Sequence, residues 1–147
     1  MEISGAHTIP APREKVWKLL NDPETLRECI PGCQSLEGNP EDGFIAAVRL
    51  AIGPVKATFD GAVTLSDVNP QESYRISGQG KGGIAGFASG GADVRLAEAE
   101  GNTVLSYEAQ ARVGGKIAQL GGRLIDSTAR KLANEFFAKF ARLAADN

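Results

Sequence analysis

The sequence predicts an α+β fold in which a curved antiparallel sheet of six or seven strands packs against one long C-terminal helix. Three observations lead to this prediction. Residues 116–144 carry the longest helical pattern, residues 44–113 alternate between apolar and polar side chains, and two short helical patterns follow the first strand. A continuous helix over residues 116–144 would be roughly 40 Å long, too long for a minor appendage of a small domain. We therefore expect the sheet to receive its apolar side.

The first strand is predicted over residues 1–9, where Ile3, His7 and Ile9 alternate with polar or small residues. His7 is the only histidine in the chain, and three roles are open to it: a base, a ligand contact or a packed side chain. No acidic or nucleophilic partner lies near it in the sequence, so the pattern favours a role other than catalysis.

Two short helices are predicted after this strand. The first covers residues 12–21, and Pro12 suits its first turn because the fixed φ of proline is already helical. The second is expected to have Asp22 as its N-cap and Pro23 at its first helical position, and to stop at Pro31-Gly32. Two short helices in series form a corner that can brace one end of a curved sheet.

The strand pattern resumes beyond Gly38 and continues to residue 113. Turns are expected where glycine, asparagine and proline cluster, at Gly53-Pro54, Asn69-Pro70 and Gly101-Asn102. The alternation gives the sheet one apolar face and one polar face, which is common in antiparallel sheets that are packed on one side.

The predicted apolar face is poor in bulky side chains. Phe44, Phe59 and Tyr74 are accompanied by small residues at the inward positions, namely Ala46, Ala57, Gly61, Gly78, Gly80, Ala109 and Ala111. Because protein interiors are packed to crystal-like density, so many small residues leave space between sheet and helix. We therefore expect an internal ligand cavity. The alternative is a filled core in which small residues simply permit tight packing.

Composition narrows the function classes. With 147 residues, a single domain over 1–147 is expected. The net charge of -2 and the lack of a basic run argue against nucleic-acid binding. There is no apolar stretch of about 18 residues and no secretory signal pattern, so we expect no transmembrane helix and a cytoplasmic location.

Cys29 and Cys33 are the only cysteines. Two thiols at this spacing could coordinate a metal, but zinc usually takes four ligands and only His7 could join them. Reduced, buried or half-buried thiols are therefore the favoured interpretation, and we predict neither a metal site nor a cofactor.

Residues 78–91 are rich in glycine but lack the Lys-Ser or Lys-Thr ending of a phosphate-binding loop. They lie between two strands, which favours a relaxed strand bend. Phe87 in the middle of this segment could gate a cavity or cover the core. No Gly-x-Ser-x-Gly elbow and no convincing pair of carboxylates occurs, so no catalytic residue is predicted.

Several short motifs, in a fixed order over nearly the whole chain, carry a resemblance to a known family. They are Pro10-Ala11-Pro12 with Val16-Trp17, Ile30-Pro31-Gly32-Cys33, Ile52-Gly53-Pro54-Val55, Gly80-Lys81-Gly82-Gly83 with Gly86-Phe87-Ala88, Val113-Gly114-Gly115 leading to Ile117-Ala118-Gln119-Leu120-Gly121, and Ala133-Asn134-Glu135-Phe136-Phe137. The chain resembles the carbon monoxide dehydrogenase G-subunit (CoxG) family of the START-like (SRPBCC) superfamily. This resemblance implies the helix-grip fold, in which a sheet curls around a long helix and a cavity opens between them.

The resemblance also implies a function, that of a non-enzymatic accessory protein to a molybdenum hydroxylase of the carbon monoxide dehydrogenase type. Such a protein would recruit its enzyme to the inner face of the membrane by peripheral contact and hold a quinone or similar lipid in the cavity. Many relatives carry a C-terminal extension that reaches the membrane, whereas this chain ends at Asn147, directly after the predicted helix. The family offers no catalytic residue to transfer.

Three hypotheses follow for the function. The first is a carrier that binds a hydrophobic small molecule. The ligand-binding residues expected for it are Phe44, Phe59, Tyr74, Phe87, Tyr107, Leu120, Leu124 and Thr128. The second is a START-like enzyme of the cyclase or hydrolase type, in which His7 supplies the polar group. The third is a protein-interaction module with a filled core.

Overall fold

The computed structural model describes residues 1–146, which form one seven-stranded antiparallel sheet and three α-helices. The strands are β1 (Glu2–Ile9), β2 (Cys33–Asn39), β3 (Gly43–Ile52), β4 (Val55–Asn69), β5 (Ser73–Lys81), β6 (Phe87–Ala99) and β7 (Asn102–Gly114). The helices are α1 (Arg13–Leu20), α2 (Pro23–Cys29) and α3 (Gly122–Ala145), and two 3₁₀ turns cover Gly83–Ala85 and Lys116–Leu120. The strand order is β1-β7-β6-β5-β4-β3-β2. The predicted helix-grip fold is confirmed.

One strand of the seven was not predicted. β2 is an edge strand, and Leu36 is its only large apolar residue. Its pairing with β3 shifts by a bulge between Cys33 and Ser35. Because most of its side chains face solvent, the strand shows no alternation of apolar and polar residues. The expectation that the sheet resumes only beyond Gly38 was therefore wrong.

The C-terminal helix is shorter than predicted. Gly121 has φ 94° and ψ 150°, a conformation essentially restricted to glycine, and α3 begins at Gly122. The 24 residues of α3 span about 36 Å. The prediction of one continuous helix from Lys116 was wrong because Ile117 and Leu120 keep a helical spacing in the sequence while they belong to a separate 3₁₀ turn.

The corner formed by α1 and α2 begins and ends close to its expected positions. Asp22 is the N-cap of α2, and its carboxylate accepts hydrogen bonds from the Glu24 amide and the Thr25 hydroxyl. The buried hydroxyl of Thr103 donates to the carbonyl of Ala11 at 2.8 Å, which fixes the entry to α1 against β7. The corner therefore braces the sheet, as the sequence suggested.

The apolar core divides into two clusters at opposite ends of the sheet. The first cluster lies under the α1–α2 corner and includes Ile9, Leu105 and Phe140. The second cluster lies where the β3–β4 hairpin meets the 3₁₀ turns, and its buried members are Val55, Phe59, Ala85 and Ile117. Within α3 only Phe140 and Ala144 are buried, so the C-terminal half of this helix is the better packed half.

Candidate functional site

An apolar cavity of about 220 Å³ lies beside the first core cluster, between the sheet, the α1–α2 corner and α3. Its lining comes from helices and strands that are far apart in the chain. The lining residues are Leu20, Leu26, Ile30, Leu36, Phe44, Val63, Leu65, Tyr74, Ile76, Val94, Leu105, Phe136 and Phe137. The Tyr74 hydroxyl is the only polar side-chain group in this set. The cavity can therefore hold an apolar molecule that presents one polar atom.

The size and lining of this cavity favour an organic group over water. A buried water needs two to four polar partners, whereas an apolar cavity of about 150 Å³ lined by Leu, Ile and Phe stays dry and binds benzene. At about 220 Å³ the present cavity is larger than that example. It can therefore enclose a ring-sized group.

Tyr74 is held in one orientation by its neighbours. Its ring meets the ring of Trp17 edge to face, with centroids 5.3 Å apart and planes at 89°. Burial raises the pKa of Tyr74 well above its ordinary value, because the phenolate would lose its solvation. The hydroxyl therefore stays protonated and can donate a hydrogen bond to a ligand.

His7 lies on the inner face of β1 next to the cavity but is not part of its lining. Its ring stacks on Phe137 with centroids 4.3 Å apart, and Tyr107 stacks on the same phenylalanine at 5.6 Å. Desolvation lowers the pKa of His7 from 6.5, so the neutral form prevails at pH 7. Phe137 contacts His7 and also lines the cavity.

A second depression runs along the N-terminal half of α3. It is a groove of about 470 Å³ between that helix and β3, and Leu50, Leu124, Thr128 and Leu132 are among its lining residues. These four side chains are only partly buried. The apolar stripe of α3 therefore continues beyond the packed first cluster into a more open region.

The structure separates the predicted ligand-binding residues into several places. Phe44 and Tyr74 line the cavity. Phe59 and Leu120 pack in the second core cluster. Tyr107 belongs to the aromatic stack, Leu124 and Thr128 line the groove, and Phe87 is 51% exposed with its ring close to Gly114.

Several cavity residues were missed by sequence reasoning. Leu36 was missed together with strand β2. Phe137 was missed because it lies beside the stripe through Leu132, Phe136 and Phe140. The adjacent aromatic pair Phe136-Phe137 was the available signal, since two bulky rings on one helix give it an apolar face wider than a single stripe.

The two cysteines are reduced, and neither is among the residues that line the cavity. Cys29 is buried in the first core cluster, and burial raises the pKa of its thiol to about 11. Over residues 1–146, no three His, Cys, Asp or Glu side chains come together in a way that could hold a metal ion. None of the helices in that range is long and apolar enough to cross a membrane.

Known proteins include relatives of this chain in both sequence and structure. The family model described as the G subunit of carbon monoxide dehydrogenase (CoxG) matches residues 5–145. A solved structure of a conserved protein from Geobacillus kaustophilus is 33% identical, with a TM-score of 0.92 over 99% of this chain and 95% of that chain. No curated protein matches the sequence.

More distant solved structures share the fold alone. A protein from Thermus thermophilus is 18% identical, with a TM-score of 0.71 and full coverage of both chains (100% and 100%). The Zhui aromatase/cyclase from Streptomyces sp. R1128 is 13% identical, with a TM-score of 0.64 over 98% of this chain and 93% of that chain. These likenesses agree with the helix-grip architecture described above.

Proposed function

The chain belongs to the carbon monoxide dehydrogenase G-subunit (CoxG) family, and from this premise we propose that it is a non-enzymatic carrier of a hydrophobic small molecule. The family and the START-like fold suggest a ligand-binding accessory protein. The proposed binding site is the apolar cavity between the sheet and α3. The single observation that carries this proposal is an almost wholly apolar lining with one phenol in it.

A quinone is the proposed ligand class. Its ring is apolar on both faces and is of a size that the 220 Å³ cavity can enclose. A ring carbonyl can accept a hydrogen bond from the protonated hydroxyl of Tyr74. For an apolar tail longer than the cavity, the proposed path is the separate groove beside α3, which is lined by Leu124 and Thr128 together with charged residues. Other lipids with one acceptor at the head share these requirements.

The proposed partner is a molybdenum hydroxylase of the carbon monoxide dehydrogenase type, and the support for it is the family name. In this proposal the protein works in the cytoplasm at the inner face of the membrane. There it moves a quinone between the bilayer and the enzyme. A site with an apolar lining is suited to this task because a quinone tail is poorly soluble in water.

Thermal denaturation of the ligand-stripped protein tests the carrier proposal. At a ligand concentration of 100 times Kd, a native-state ligand adds about 2.7 kcal/mol of stability, or roughly 5–10 °C in Tm for a domain of this size. A short-tailed quinone should produce such a shift, and a steroid or fatty acid should serve as a comparison. A protein whose Tm responds to none of these compounds would contradict the proposal.

A matched pair of variants ties the shift to the cavity. Val63 lines the cavity, so Val63→Phe should fill part of it and remove the quinone-induced shift while the protein stays folded. Ala62 is exposed on the other face of the same strand, so Ala62→Val should keep the shift. An unchanged shift in Val63→Phe would locate the ligand elsewhere.

Catalysis is the second candidate function, and the position of His7 on the inner face beside Tyr107 is the observation in its favour. A carrier returns its ligand unchanged. A hydrolase adds water to its substrate, whereas a cyclase changes the connectivity of its substrate and alters its mass only when water is also lost. Liquid chromatography with mass spectrometry of a bound quinone or polyketide before and after incubation detects both kinds of change and separates the carrier from the enzyme. Turnover by the wild type that His7→Phe abolishes would favour the enzyme.

A further inference from the structure

One end of the sheet, which we call the basic end, combines exposed apolar side chains with clustered positive charge. It is formed by the β3–β4 hairpin and by two chain segments, residues 82–86 and residues 115–121. These segments pack together: the backbone of Gly115 meets Gly86, and the ring of Phe87 lies over Gly114. The second core cluster supports them from inside.

Ile84 is the most exposed large apolar residue of the described chain, with 92% of its surface accessible, and Phe87 three residues later is 51% exposed. Ile84 lies in the middle of a 3₁₀ turn that has glycines on both sides, so it projects from the end of the sheet. An isoleucine on such a convex tip lies in no groove of its own chain. Its side chain is therefore available for burial against another molecule.

Cationic side chains accompany these apolar tips. Lys56, Lys81 and Lys116 are exposed in the strand ends and segments that form the basic end, and exposed Arg123 follows directly in the first turn of α3. Residues 50–59, 81–92 and 109–125 contain no Asp or Glu, and the nearest carboxylate in the strand register is Asp60, which pairs with Lys81.

The opposite end of the sheet, which we call the acidic end, carries negative charge in its strand connections. Exposed carboxylates lie in its connections between strands and at the adjoining end of β6, namely Glu41, Asp42, Glu72, Glu98 and Glu100. Arg13 forms an ion pair with one of them, its Nε lying 3.9 Å from Glu98. The strand connections at the two ends of the sheet therefore carry opposite charge, and α1 adds the cations Arg13, Lys15 and Lys18 at the acidic end. An anionic surface would orient the molecule with the basic end toward it.

We propose that the basic end docks on an anionic lipid bilayer, with Ile84 and Phe87 inserted at the boundary between headgroups and acyl chains. Projecting apolar side chains surrounded by cations suit a fluid surface, because the side chains insert while the lysines and arginine stay among phosphates. A protein partner would need a pocket shaped to the tip, and charge complementarity does not supply that shape. This inference deepens the proposed role at the membrane, on which it rests, by assigning the surface that meets it.

Co-sedimentation with vesicles tests this docking surface in the absence of any quinone. The wild type should bind vesicles of phosphatidylcholine with phosphatidylglycerol at low salt and should bind phosphatidylcholine alone much less. High salt should weaken the binding, since exposed charges are screened. A wild type that stays unbound at low salt would overturn the proposal and leave the surface to a protein partner.

Single-residue variants locate the contact. Ile84→Ser should lower the partition coefficient about fivefold or more, because the burial of one isoleucine is lost. Its Tm should not change, since the side chain is 92% exposed. Val68→Ser is the matched control, because Val68 is 48% exposed in the part of β4 near the acidic end. Equal binding by the wild type and Ile84→Ser would overturn the proposal.

A charge variant tests the electrostatic part. Each cation near an anionic bilayer strengthens binding about fivefold, so Lys116→Glu combined with Arg123→Glu should weaken it well beyond tenfold. The salt dependence should fall as well. The double variant leaves the cavity unchanged, so it should keep the Tm shift with quinone. Loss of docking and loss of quinone binding can therefore be told apart.

Discussion

Tyr74 is the residue through which the cavity can recognise a polar atom. Its phenol supplies the only polar side-chain group in the lining, and burial keeps it protonated. Replacement by phenylalanine removes the donor and leaves the ring against Trp17. Since a hydrogen bond contributes about 0.5–1.5 kcal/mol, Tyr74→Phe should weaken quinone binding roughly two- to tenfold. Calorimetric titration measures this change.

The control for that prediction is Tyr107→Phe, which removes a phenol from the aromatic stack outside the cavity lining. Its affinity for quinone should equal that of the wild type. Equal losses in the two variants would show that the Tyr74 hydroxyl has no specific role in binding.

His7 gives the folded protein a dependence on pH with a definite sign. Desolvation places its folded pKa below the unfolded value of 6.5, so the unfolded chain takes up the proton first as the pH falls. The stability contributed by neutral His7 is therefore fully present above pH 6.5 and is lost as the pH falls toward the folded pKa. His7→Phe keeps an aromatic ring on Phe137 without a titrating group.

Thermal melts between about pH 7.5 and about pH 5.5 should accordingly show a larger loss of Tm for the wild type than for His7→Phe. His7 is the only histidine, so no other imidazole contributes in this range. Parallel profiles for the two proteins would contradict the assignment of a desolvated His7.

Individual side chains were harder to place from the sequence than the strands that carry them. Alternation correctly put Phe44, Phe59 and Tyr74 on the inner face, but it does not say which part of a long curved face each occupies. Phe59 lies at the opposite end from Tyr74, because β4 and β5 run antiparallel and each crosses the whole sheet. The position of a cavity along a strand depends on which helix covers that part.

At the scale of elements, the start of α3 depends on one glycine. A Cβ at Gly121 or at Gly122 would meet no heavy atom within 4 Å, so neither position is limited by space. Gly121 has φ 94°, which other residues rarely adopt, whereas Gly122 begins the helix. Gly121→Ala should therefore reduce the free energy of unfolding by about 1–3 kcal/mol.

Gly122→Ala is the matched control for this variant. It places alanine in a helical position and should stabilise the protein by about 0.4–1 kcal/mol through a smaller loss of backbone entropy. Urea denaturation measures both changes. A Gly121→Ala protein as stable as the wild type would mean that the break between the 3₁₀ turn and α3 tolerates another backbone conformation.

The elements themselves were largely predictable because their signals are local. The Asp22 cap, the Gly53-Pro54 hairpin and the period of two in β4 each follow from residues close in sequence. β2 and the break at Gly121 were missed for a shared reason. An edge strand whose side chains are mostly exposed adds no alternation of apolar and polar residues to the sequence. A positive φ at one glycine does not change the spacing of the apolar residues around it.

At the scale of the whole molecule, the two core clusters are unequal. The end of the sheet at the first cluster is well packed, and the region between the clusters, along the N-terminal half of α3, is more open. The first cluster contains most of the buried side chains and fixes the C-terminal half of α3. The second cluster is smaller and depends on glycine-rich connections. The sequence analysis attributed the expected cavity to small residues on the inner face, but none of those small residues lines it. The cavity lies instead among bulky side chains, where the α1–α2 corner and α3 cover the sheet.

The unequal packing of the two clusters predicts unequal hydrogen exchange along a single helix. Amides of residues 136–144 should exchange more slowly than those of residues 124–132, because Phe140 and Ala144 are buried whereas Leu124 and Leu132 are only partly buried. A quinone that fills the cavity and extends along the groove should slow exchange in residues 124–132 more than in residues 136–144. Mass spectrometry with peptic fragments resolves the two halves. Uniform protection along the free helix would show that α3 is packed equally at both ends, and the groove would then have no role in admitting a ligand.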